Sequence, residues 1–313
     1  MAGRDLRARI QKDLFLLDGA TGTQLFARGA EPGRCNDWLN VESPDVVMEI
    51  HRAYFDAGSD AVLTNTFSAN RYALARHGYA DKVSEINRAG AQVARKAAGE
   101  GVPVAKHRDW APDQWYVLGD IGPTGDFLEP LGALRADQVR EAYVEQVRGL
   151  REGGVDGFII ETMTALDELS LAIEAARSAG GGLPVFASMS FDKGSAGFRT
   201  MMGVDVPTAV SKMISLGVDA AGFNCGTASL DEYVELAEAY VAAARSSRKK
   251  ALVFAEPNAG KPELEDGRAV YKVSPAEFAA ACGRILKAGI HILGGCCGTS
   301  PQHIRAVAEA LRA

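Results

Sequence analysis

Residues 152–178, EGGVDGFIIETMTALDELSLAIEAARS, contain the structural unit that decides the fold. The glycines at 153 and 154 end one helical pattern, and an apolar run follows at 157–161. Because this run does not alternate between apolar and polar residues, it predicts a parallel strand that is buried on both faces. An amphipathic pattern at 166–178 then predicts a helix. The stretch is therefore typical of one complete βα unit.

The same rhythm recurs along the whole chain. Seven more apolar runs predict strands at residues 14–17, 61–65, 116–121, 185–191, 220–224, 252–256 and 290–294. Helical patterns between the runs cover residues 45–57, 83–98, 137–152, 231–245 and 275–287. The last helix has Ser274 as its N-cap, Pro275 at its first position and Glu277 three residues after the cap. Eight units predict an α/β fold, a single (β/α)8 TIM barrel whose active site lies at the C-terminal ends of the strands.

An open, doubly wound sheet fits the sequence less well. The first predicted strand ends in DGATGT at 18–23, which does not match the glycine pattern of a dinucleotide-binding loop. No helical pattern begins before about residue 43, whereas such a loop opens directly into a helix. We expect residues 1–313 to form one barrel domain, with the irregular segment 99–115 as a surface excursion.

Composition excludes several classes of partner. Lys and Arg number 34 and Asp and Glu number 40, and the resulting net charge of −6 argues against nucleic acid. No apolar run approaches the roughly 18 residues that a membrane span needs, and the polar start MAGRDLRARIQKD does not resemble a signal peptide. We therefore expect a cytoplasmic protein without membrane contact.

Unusual polar residues stand where the predicted strands end. The set comprises Asp18, Asn65, Glu161, the pair Asn224–Cys225 and the pair Cys296–Cys297. Because a barrel gathers the C-terminal ends of its strands at one mouth, these side chains are expected to converge. Convergence from five strands predicts an enzyme.

The five cysteines allow two interpretations. Cys296 and Cys297 adjoin glycines that let the backbone bend, and Cys225 is expected across the barrel mouth from them. Three thiolates with one open position describe a catalytic Zn²⁺ site. Alternatively, the cysteines are small core residues, which suits Cys35 and Cys282. Spacing alone leaves both interpretations open.

Six motifs, in order, resemble the zinc-dependent homocysteine S-methyltransferase family. They are DGATGTQL at the first strand, TNTFSANR at the second, DIGPTG at the third, IIETMT at the fourth, NCG at the sixth and GGCCGTSPQHI at the eighth. The set is closest to the homocysteine-binding module of cobalamin-dependent methionine synthase and its stand-alone bacterial relatives. Betaine–homocysteine methyltransferase is more distant. The family fold is a (β/α)8 barrel.

The resemblance implies a role for each site residue. It places the zinc ligands at Cys225, Cys296 and Cys297, and the residues that bind the homocysteine amino group at Asp18 and Glu161. Backbone N–H groups of Gly19, Ala20, Thr21 and Gly22 would bind the substrate carboxylate. Asn65 and Asn224 are expected to order loops, or to support the ligands through hydrogen bonds. The nucleophile is the metal-bound substrate thiolate, so no catalytic side chain is expected.

The resemblance also bears on the methyl donor. The betaine enzymes carry cage tyrosines at the positions of Ser68 and Thr162, which leaves Trp38 as a single aromatic wall here. The resemblance to the methionine-synthase module implies methylcobalamin as the donor. Because no D-x-H-x-x-G cobalamin signature occurs in the sequence, we predict that a separate corrinoid protein delivers it. For Met201 and Met202 we favour a place in the core over the alternative of lining the barrel mouth.

Other functions are open at this point. Betaine or S-methylmethionine as direct donor is one alternative, and a zinc- or thiol-binding barrel without methyltransferase activity is another. A Schiff-base aldolase needs a lysine inside the barrel, and the predicted strands contain none. A redox role for the adjacent cysteines would require a strained disulfide.

Overall fold

Eight parallel strands form a nearly closed barrel with helices between them. The structure is a computed structural model that describes residues 5–31, 33–99, 115–247, 249–265 and 268–312. The barrel strands are β1 (Phe15–Leu16), β2 (Ala61–Leu63), β3 (Tyr116–Ile121), β4 (Gly157–Met163), β5 (Val185–Met189), β6 (Ala220–Asn224), β7 (Leu252–Glu256) and β8 (Ile292–Leu293). Their order in the sheet is β1-β8-β7-β6-β5-β4-β3-β2, and every recorded pairing between them is parallel. The predicted fold class is confirmed.

Twelve helices occur within the described residues. They are α1 (Leu6–Arg9), α2 (Thr21–Ala27), α3 (Leu39–Glu42), α4 (Pro44–Ala57), α5 (Arg71–Ala75), α6 (Val83–Gly99), α7 (Ala136–Gly153), α8 (Leu166–Ala179), α9 (Val206–Ser215), α10 (Leu230–Ser246), α11 (Pro275–Ala288) and α12 (Pro301–Leu311). The capping box predicted at Ser274 and Glu277 is present at α11. None of the described helices is both long and apolar enough to cross a bilayer. Most of the predicted segment 99–115 lies outside the described residues.

The prediction that no helix begins before about residue 43 is wrong. Helix α2 starts at Thr21, directly after the first strand, and α3 follows at Leu39. Both helices are short, at seven and four residues, so neither repeats an apolar period often enough to be recognised in the sequence. Their consequence is functional, because α2 brings its N-terminus to the barrel mouth.

Two antiparallel hairpins lie among the loops at the C-terminal ends of the strands. One pairs Asp192–Gly194 with Gly197–Arg199 after β5, and the other pairs Glu263–Glu265 with Arg268–Val270 after β7. They extend the wall of the mouth above the barrel.

At the end of the barrel opposite the mouth, three aspartates in equivalent positions each connect two neighbouring strands. Asp60, Asp156 and Asp219 directly precede β2, β4 and β6. Each carboxylate accepts the N–H of one residue in the previous strand, at 2.7 Å for Leu16, 2.8 Å for Val117 and 2.9 Å for Val185. Each aspartate also donates its own N–H to the carbonyl of that same residue. Each of these aspartates follows a glycine by two residues, as Asp156 follows Gly154, and links two neighbouring strands.

Asp60 lies at the seam of the barrel, where β1 and β2, the first and last strands in the sheet order, meet. Its carboxylate also pairs with Arg9, at 3.1 Å, and with Arg312 of the last helical turn. Nearer the mouth, the carboxylate of Asp18 accepts the Leu63 N–H at 3.0 Å across the same seam. Two acidic side chains thus connect the first and second strands.

The barrel interior is filled with side chains and is not a channel. Inward-facing residues of the strands form one apolar cluster, which Leu6 and Ile10 join from the N-terminal side. A second, larger cluster lies between the strands and the surrounding helices. Reactive groups can therefore collect only at the mouth, where the βα loops meet.

Candidate metal centre and substrate site

Three cysteines from two distant loops meet at the barrel mouth. Cys225 follows the last residue of β6, and Cys296 and Cys297 lie in the loop after β8. The Sγ atoms of Cys225 and Cys297 are 3.8 Å apart, and those of Cys296 and Cys297 are 3.9 Å apart. All three sulfurs lie within 4.8 Å of one another, and all three residues are partly buried. The sequence-predicted ligand set is brought together.

The backbone explains how adjacent cysteines reach one site. Strand β8 ends at Leu293, so Cys296 and Cys297 are not bound by the alternation of a regular strand. The loop is fixed to the one after β7, because Cys296 N–H donates to Pro257 O at 2.9 Å and Ala259 N–H donates to Cys297 O at 3.0 Å. Cys225 adopts a φ of 56°, a left-handed conformation that is uncommon outside glycine. This turn directs its sulfur toward the pair.

The charge state of the trio favours a metal ligand set. Hydrogen bonds from Cys225 and then from Cys296 lower the pKa of Cys297 to about 3. Hydrogen bonds with Cys225 and then with Cys297, followed by burial, raise the pKa of Cys296 well above its usual range. The cluster thus presents a thiolate at neutral pH, and the thiolate is the form of cysteine that binds metal. Cys35 and Cys282 are buried elsewhere, as expected of core residues.

Asn224 connects the cysteines to the fourth strand. Its Nδ2 donates to Glu161 Oε2, and also to Thr162 Oγ1 at 2.7 Å. The same nitrogen lies 3.7 Å from the sulfur of Cys296. Its Oδ1 accepts the Thr162 N–H at 2.9 Å and the Ser188 hydroxyl at 2.8 Å. Every polar atom of this buried amide is therefore used.

Strand β4 is irregular where it carries Glu161. The register against β5 shifts between Ile160 and Met163, and Thr162 has a φ of 59°. A bulge of this kind turns side chains out of the regular alternation. Burial and then the charge of Cys297 raise the pKa of Glu161 to about 7. The carboxylate thus lies in a poorly solvated place beside the sulfurs.

Two acidic residues at the mouth were not predicted. Asp120 is the penultimate residue of β3 and Glu256 is the last residue of β7, and both are buried. Burial and then the charge of Glu161 raise the pKa of Asp120. Asp120 Oδ1 and Glu256 Oε2 have no hydrogen-bond partner among the described residues. Their position at strand ends was a usable signal, because the same signal identified Asp18 and Glu161.

Together the four carboxylates form a negative pocket with little solvent. Burial is the main cause that raises the pKa of Asp18, Asp120 and Glu256, and the charge of Glu161 raises each further. Buried groups of like charge disfavour ionisation, whereas a cation placed among them would favour it. The pocket is therefore suited to a substrate ammonium group.

The loop after β1 packs against the cysteine loop. Thr299 Oγ1 accepts the Ala20 N–H at 3.1 Å and donates to Cys296 O at 2.7 Å. A Cβ atom at Gly19 would lie 2.6 Å from Thr299 Oγ1, so this close approach requires glycine. Helix α2 begins at Thr21 without a side-chain cap, and its first N–H groups remain available to an anion. Of the four expected donors, Ala20 N–H is already engaged.

Two other predicted residues lie away from the sulfurs. Asn65 Nδ2 donates to Asn36 O at 2.8 Å and to Asn40 Oδ1 at 3.2 Å, so it orders the loops after β1 and β2. Trp38 stacks on Tyr79 with ring centroids 4.5 Å apart and belongs to a small cluster outside the barrel. One face of its ring is thus already covered.

Exposed apolar side chains are concentrated around the mouth. The large ones among the described residues are Phe26, Phe127, Leu131, Met201, Met202 and Leu264. Each lies in the connection that follows an odd-numbered strand, on the face that carries the cysteines. The interpretation of Met201 and Met202 as core residues is wrong, since 66% and 36% of their surfaces are exposed. Their loop follows a short hairpin that keeps them outside the barrel.

Comparison with known proteins identifies the family. Residues 15–311 match the family described as Homocysteine S-methyltransferase. The chain belongs to the homocysteine S-methyltransferase family. The matched residues cover nearly the whole barrel, from β1 to the end of α12. The resemblance inferred from the six motifs is confirmed, and the chain is a member of a family of methyltransferases.

Two methionine synthases are among the relatives of this chain. The one from Mycobacterium tuberculosis (strain ATCC 25618 / H37Rv) is 37% identical over 321 residues, and the one from Mycobacterium leprae (strain TN) is 36% identical over 320. Each alignment covers 98% of this chain and 25% of the relative. The chain thus spans about a quarter of the length of these relatives.

A solved structure shares the fold. The homocysteine methyltransferase MmuM from Escherichia coli, in its metallated form, aligns with a TM-score of 0.78 at 22% identity. The alignment covers 98% of this chain and 99% of that chain. The likeness concerns the barrel architecture from end to end.

Proposed function

We propose that residues 1–313 act as one homocysteine-binding barrel domain that transfers a methyl group to the homocysteine thiolate and forms methionine. In this proposal Cys225, Cys296 and Cys297 hold a Zn²⁺ ion. The observation that carries it is the convergence of three sulfurs at the mouth of a barrel that belongs to this family.

The sulfur spacing fits zinc. Tetrahedral coordination with Zn–S bonds of 2.3 Å separates two ligand sulfurs by about 3.8 Å. The distances of 3.8 Å and 3.9 Å agree with that value before any metal is considered. When bound, zinc would supply thiolate activation, because it binds the deprotonated form of a thiol whose free pKa is ~8.5. Three protein ligands leave one position for the substrate sulfur.

The remaining residues orient the amino acid. Asp18 and Glu161 are proposed to bind the substrate ammonium group, and Asp120 and Glu256 add negative charge to the same pocket. The substrate carboxylate is proposed to meet the N–H groups at the start of α2. Asn224 holds Glu161 near the sulfurs, so that the two ends of homocysteine are fixed relative to each other. This positioning lowers the barrier to transfer.

A corrinoid-bound methyl group is the proposed donor, delivered by a separate protein or domain. Two observations disfavour a small quaternary ammonium donor. Thr162 supplies no aromatic face and its side chain is hydrogen-bonded to Asn224, and Trp38 has one face covered by Tyr79, so these two positions do not form the aromatic cage that such a donor needs. The apolar side chains around the mouth suit a macromolecular partner, since exposed apolar patches mark interaction sites. The methionine synthase relatives are also about four times longer than this chain.

The transfer balances without a further reactant. The homocysteine sulfur forms the new S–C bond, and the carbon–cobalt bond breaks with its electron pair left on the corrinoid. Barrel residues would not need to take a proton, because the thiol proton would be released to solvent when the homocysteine sulfur binds zinc held by the three cysteines. Free thiols at the site also require a reducing compartment, which agrees with the predicted cytoplasmic location.

A donor screen tests the proposal. Zinc-loaded protein and homocysteine are incubated with free methylcobalamin, a methylated corrinoid protein, betaine or S-methylmethionine, and methionine is measured. We expect methionine with the corrinoid donors. Turnover with betaine alone would overturn the donor assignment, and zinc binding without turnover from any donor would indicate a binding protein.

The apolar mouth gives that screen a second arm. In Leu264→Glu and Met201→Glu variants, turnover with the corrinoid protein should fall at least tenfold, whereas turnover with free methylcobalamin should stay within about twofold. The matched control is Lys12→Glu, because Lys12 is exposed near the N-terminal helix, far from the mouth. Equal losses with both donors would show that the apolar residues do not bind a partner.

A further inference from the structure

Two acidic side chains lie at the centre of the barrel mouth, directly above the apolar interior. The last inward-facing apolar residues of β3, β5 and β7 are Leu118, Phe186 and Phe254. Two residues further along the same strands come Asp120, Ser188 and Glu256. Side chains two residues apart on a strand share a face, so these three also point inward. Because β3 and β7 are four strands apart in the eight-stranded sheet, Asp120 and Glu256 approach the barrel axis from opposite sides.

Glu256 lies between the two loops that carry the cysteines. It is the register partner of Asn224, the residue before Cys225. The carbonyl oxygen of the next residue, Pro257, accepts the N–H of Cys296 at 2.9 Å. A small molecule whose sulfur meets the cysteines can therefore place a second group beside the Glu256 carboxylate.

A glycine makes room for the Glu256 side chain. A Cβ atom at Gly294 would lie 3.0 Å from Cγ of Glu256 and 2.8 Å from Cβ of Leu17. The glutamate thus occupies space that a side chain at position 294 would need. The following residue, Gly295, donates its N–H to Asp18 O at 2.9 Å. Glu256 therefore packs on the same segment that holds the backbone of Asp18.

Hydrogen bonding divides the four carboxylates of the mouth into two pairs. Asp18 Oδ2 already accepts a backbone N–H at 3.0 Å, and Glu161 Oε2 already accepts a side-chain amide. In contrast, Asp120 Oδ1 and Glu256 Oε2 have no partner among the described residues, although the two residues are only 6% and 2% exposed. A buried acceptor without a donor is costly, and a ligand with matching donors recovers that cost. The two unpaired oxygens are thus suited to a cation that carries N–H groups.

We propose that Asp120 Oδ1 and Glu256 Oε2 accept two of the three N–H groups of the substrate ammonium, and that they restrict the methyl acceptor to thiols with a free primary amine. This inference rests on the proposed homocysteine site. Hydrogen bonds between an ammonium and a carboxylate are charge-assisted and therefore strong. A des-amino or N-acylated thiol brings no cation and leaves both oxygens buried and unpaired, and sites of this kind reject analogues that lack the matching group.

Two thiols that differ only in the amino group test the proposal. Calorimetry measures the affinity of the zinc-loaded protein for homocysteine and for its des-amino analogue, 4-mercaptobutanoate. In Asp120→Asn and in Glu256→Gln, homocysteine affinity should fall about tenfold or more, because each variant loses a charged acceptor. Affinity for 4-mercaptobutanoate should stay within about twofold. The matched control is Asp219→Asn, an acid-to-amide change at the opposite end of the barrel that should alter neither affinity.

A second readout needs no metal. L-Norvaline has the carbon skeleton of homocysteine with a methyl group in place of the thiol, and pentanoate is the same molecule without the amino group. L-Norvaline should raise the melting temperature of the metal-free wild type more than pentanoate does, since a ligand that binds the folded state stabilises it. This preference should disappear in the Asp120→Asn/Glu256→Gln protein. Without ligand, neither single variant should melt below the wild type, because the two oxygens have no hydrogen bond to lose.

The outcomes separate this inference from the proposed function. If the wild type binds homocysteine and both single variants keep its affinity, the role of the two carboxylates is wrong and the proposed function stands. Equal losses of affinity for homocysteine and 4-mercaptobutanoate would also contradict the role, because they would show general damage to the site. If the wild type binds neither homocysteine nor L-norvaline, the proposed function and this inference both fail.

Discussion

Asn224 and Thr162 are joined by two hydrogen bonds across the barrel mouth. Thr162 N–H donates to Asn224 Oδ1 at 2.9 Å, and Asn224 Nδ2 donates to Thr162 Oγ1 at 2.7 Å. Thr162 has a φ of 59°, and Cys225, directly after Asn224, has a φ of 56°. Non-glycine residues rarely adopt this region, and they persist there only where the surroundings hold them. The paired bonds fix the two turns that aim Glu161 and Cys225 at one point.

Asn224→Ala should therefore damage metal and substrate binding together. The loss of the amide frees both turns and leaves Glu161 without its Asn224 donor. We expect zinc affinity and kcat/KM each to fall 10–100-fold. Asn87→Ala is the control, because Asn87 is equally buried but donates to Ala69 O and Val83 O, away from the mouth. Unchanged zinc affinity in Asn224→Ala would contradict the linking role.

Glu161→Gln should weaken homocysteine binding and leave zinc in place. The substitution keeps the size of the side chain but removes a charge proposed to face the ammonium group. Loss of a hydrogen bond to a charged group costs about 2 kcal/mol, which corresponds to a KM about 30-fold higher. Metal content should remain that of the wild type. A KM within twofold of the wild-type value would remove Glu161 from the amino-group role.

Asp60→Asn should destabilise the barrel more than Asp219→Asn. Both aspartates accept a strand N–H, but Asp60 faces Arg9 and Arg312 at a buried seam, while Asp219 pairs with the exposed Arg7. Burial raises the pKa of Asp60 although both arginines lower it, so burying this carboxylate is itself costly. The loss comes from the arginine charge left behind, and we expect about 3 kcal/mol for Asp60→Asn against about 1 kcal/mol or less for Asp219→Asn.

Urea unfolding of the two variants measures this difference. Because both substitutions remove one carboxylate oxygen from the same structural position in the repeat, the comparison isolates the arginine contacts at the seam. Equal losses in the two proteins would show that closure between β1 and β2 does not depend on this cluster.

His51 should make the stability pH-dependent. It is fully buried in α4, neither ring nitrogen has a partner among the described residues, and burial lowers its pKa to about 4. The unfolded histidine titrates near 6.5, so stability is fully present above pH ~6.5 and is lost as the pH falls toward 4. The full loss is about 3 kcal/mol.

The measurement compares wild type with His51→Leu at pH 7.5 and pH 4.5. The difference in free energy of unfolding between the two proteins should shift by about 2–3 kcal/mol in favour of the leucine variant at the lower pH. Taking this difference removes the contribution of the buried carboxylates, which both proteins share. A difference that does not change with pH would mean that His51 has the same pKa in the folded and in the unfolded protein.

The fold could be predicted because its long elements carry strong patterns. All eight strands lie within the apolar runs or overlap them, and the six predicted helices end within one or two residues of those observed. The elements that were missed include the two hairpins, four helices of four to seven residues (α1, α2, α3 and α5), and two longer helices, α9 and α12, of ten and eleven residues. Helix α2, with seven residues, has no repeated apolar stripe. The loops around the mouth are ordered by long-range hydrogen bonds, such as that from Ala20 to Thr299, which leave no local pattern.

Most residues of the site could be predicted from the sequence, but their arrangement in space could not. Glycines beside Cys296 and Cys297 indicated a bend, and the three sulfurs do meet. The left-handed turns at Thr162 and Cys225 depend on Asn224 and could not be inferred from local sequence. Asp120 stood inside the motif DIGPTG, which was recognised only as a whole, and Glu256 was the last residue of a predicted strand. Tyr271 packs against Gly298, beside Cys297, from another loop, and its sequence neighbours do not indicate that contact.

Zinc K-edge X-ray absorption, with and without homocysteine, tests the central claim most directly. Wild-type protein should bind about one zinc per chain, with three sulfur ligands at about 2.3 Å that become four when homocysteine is added. Cys225→Ser should lose zinc and methyl transfer together, whereas Cys282→Ala, a buried thiol in α11, should retain both. A sulfur count that stays at three when homocysteine binds, or zinc retained by the Cys296→Ala/Cys297→Ala protein, would contradict the account.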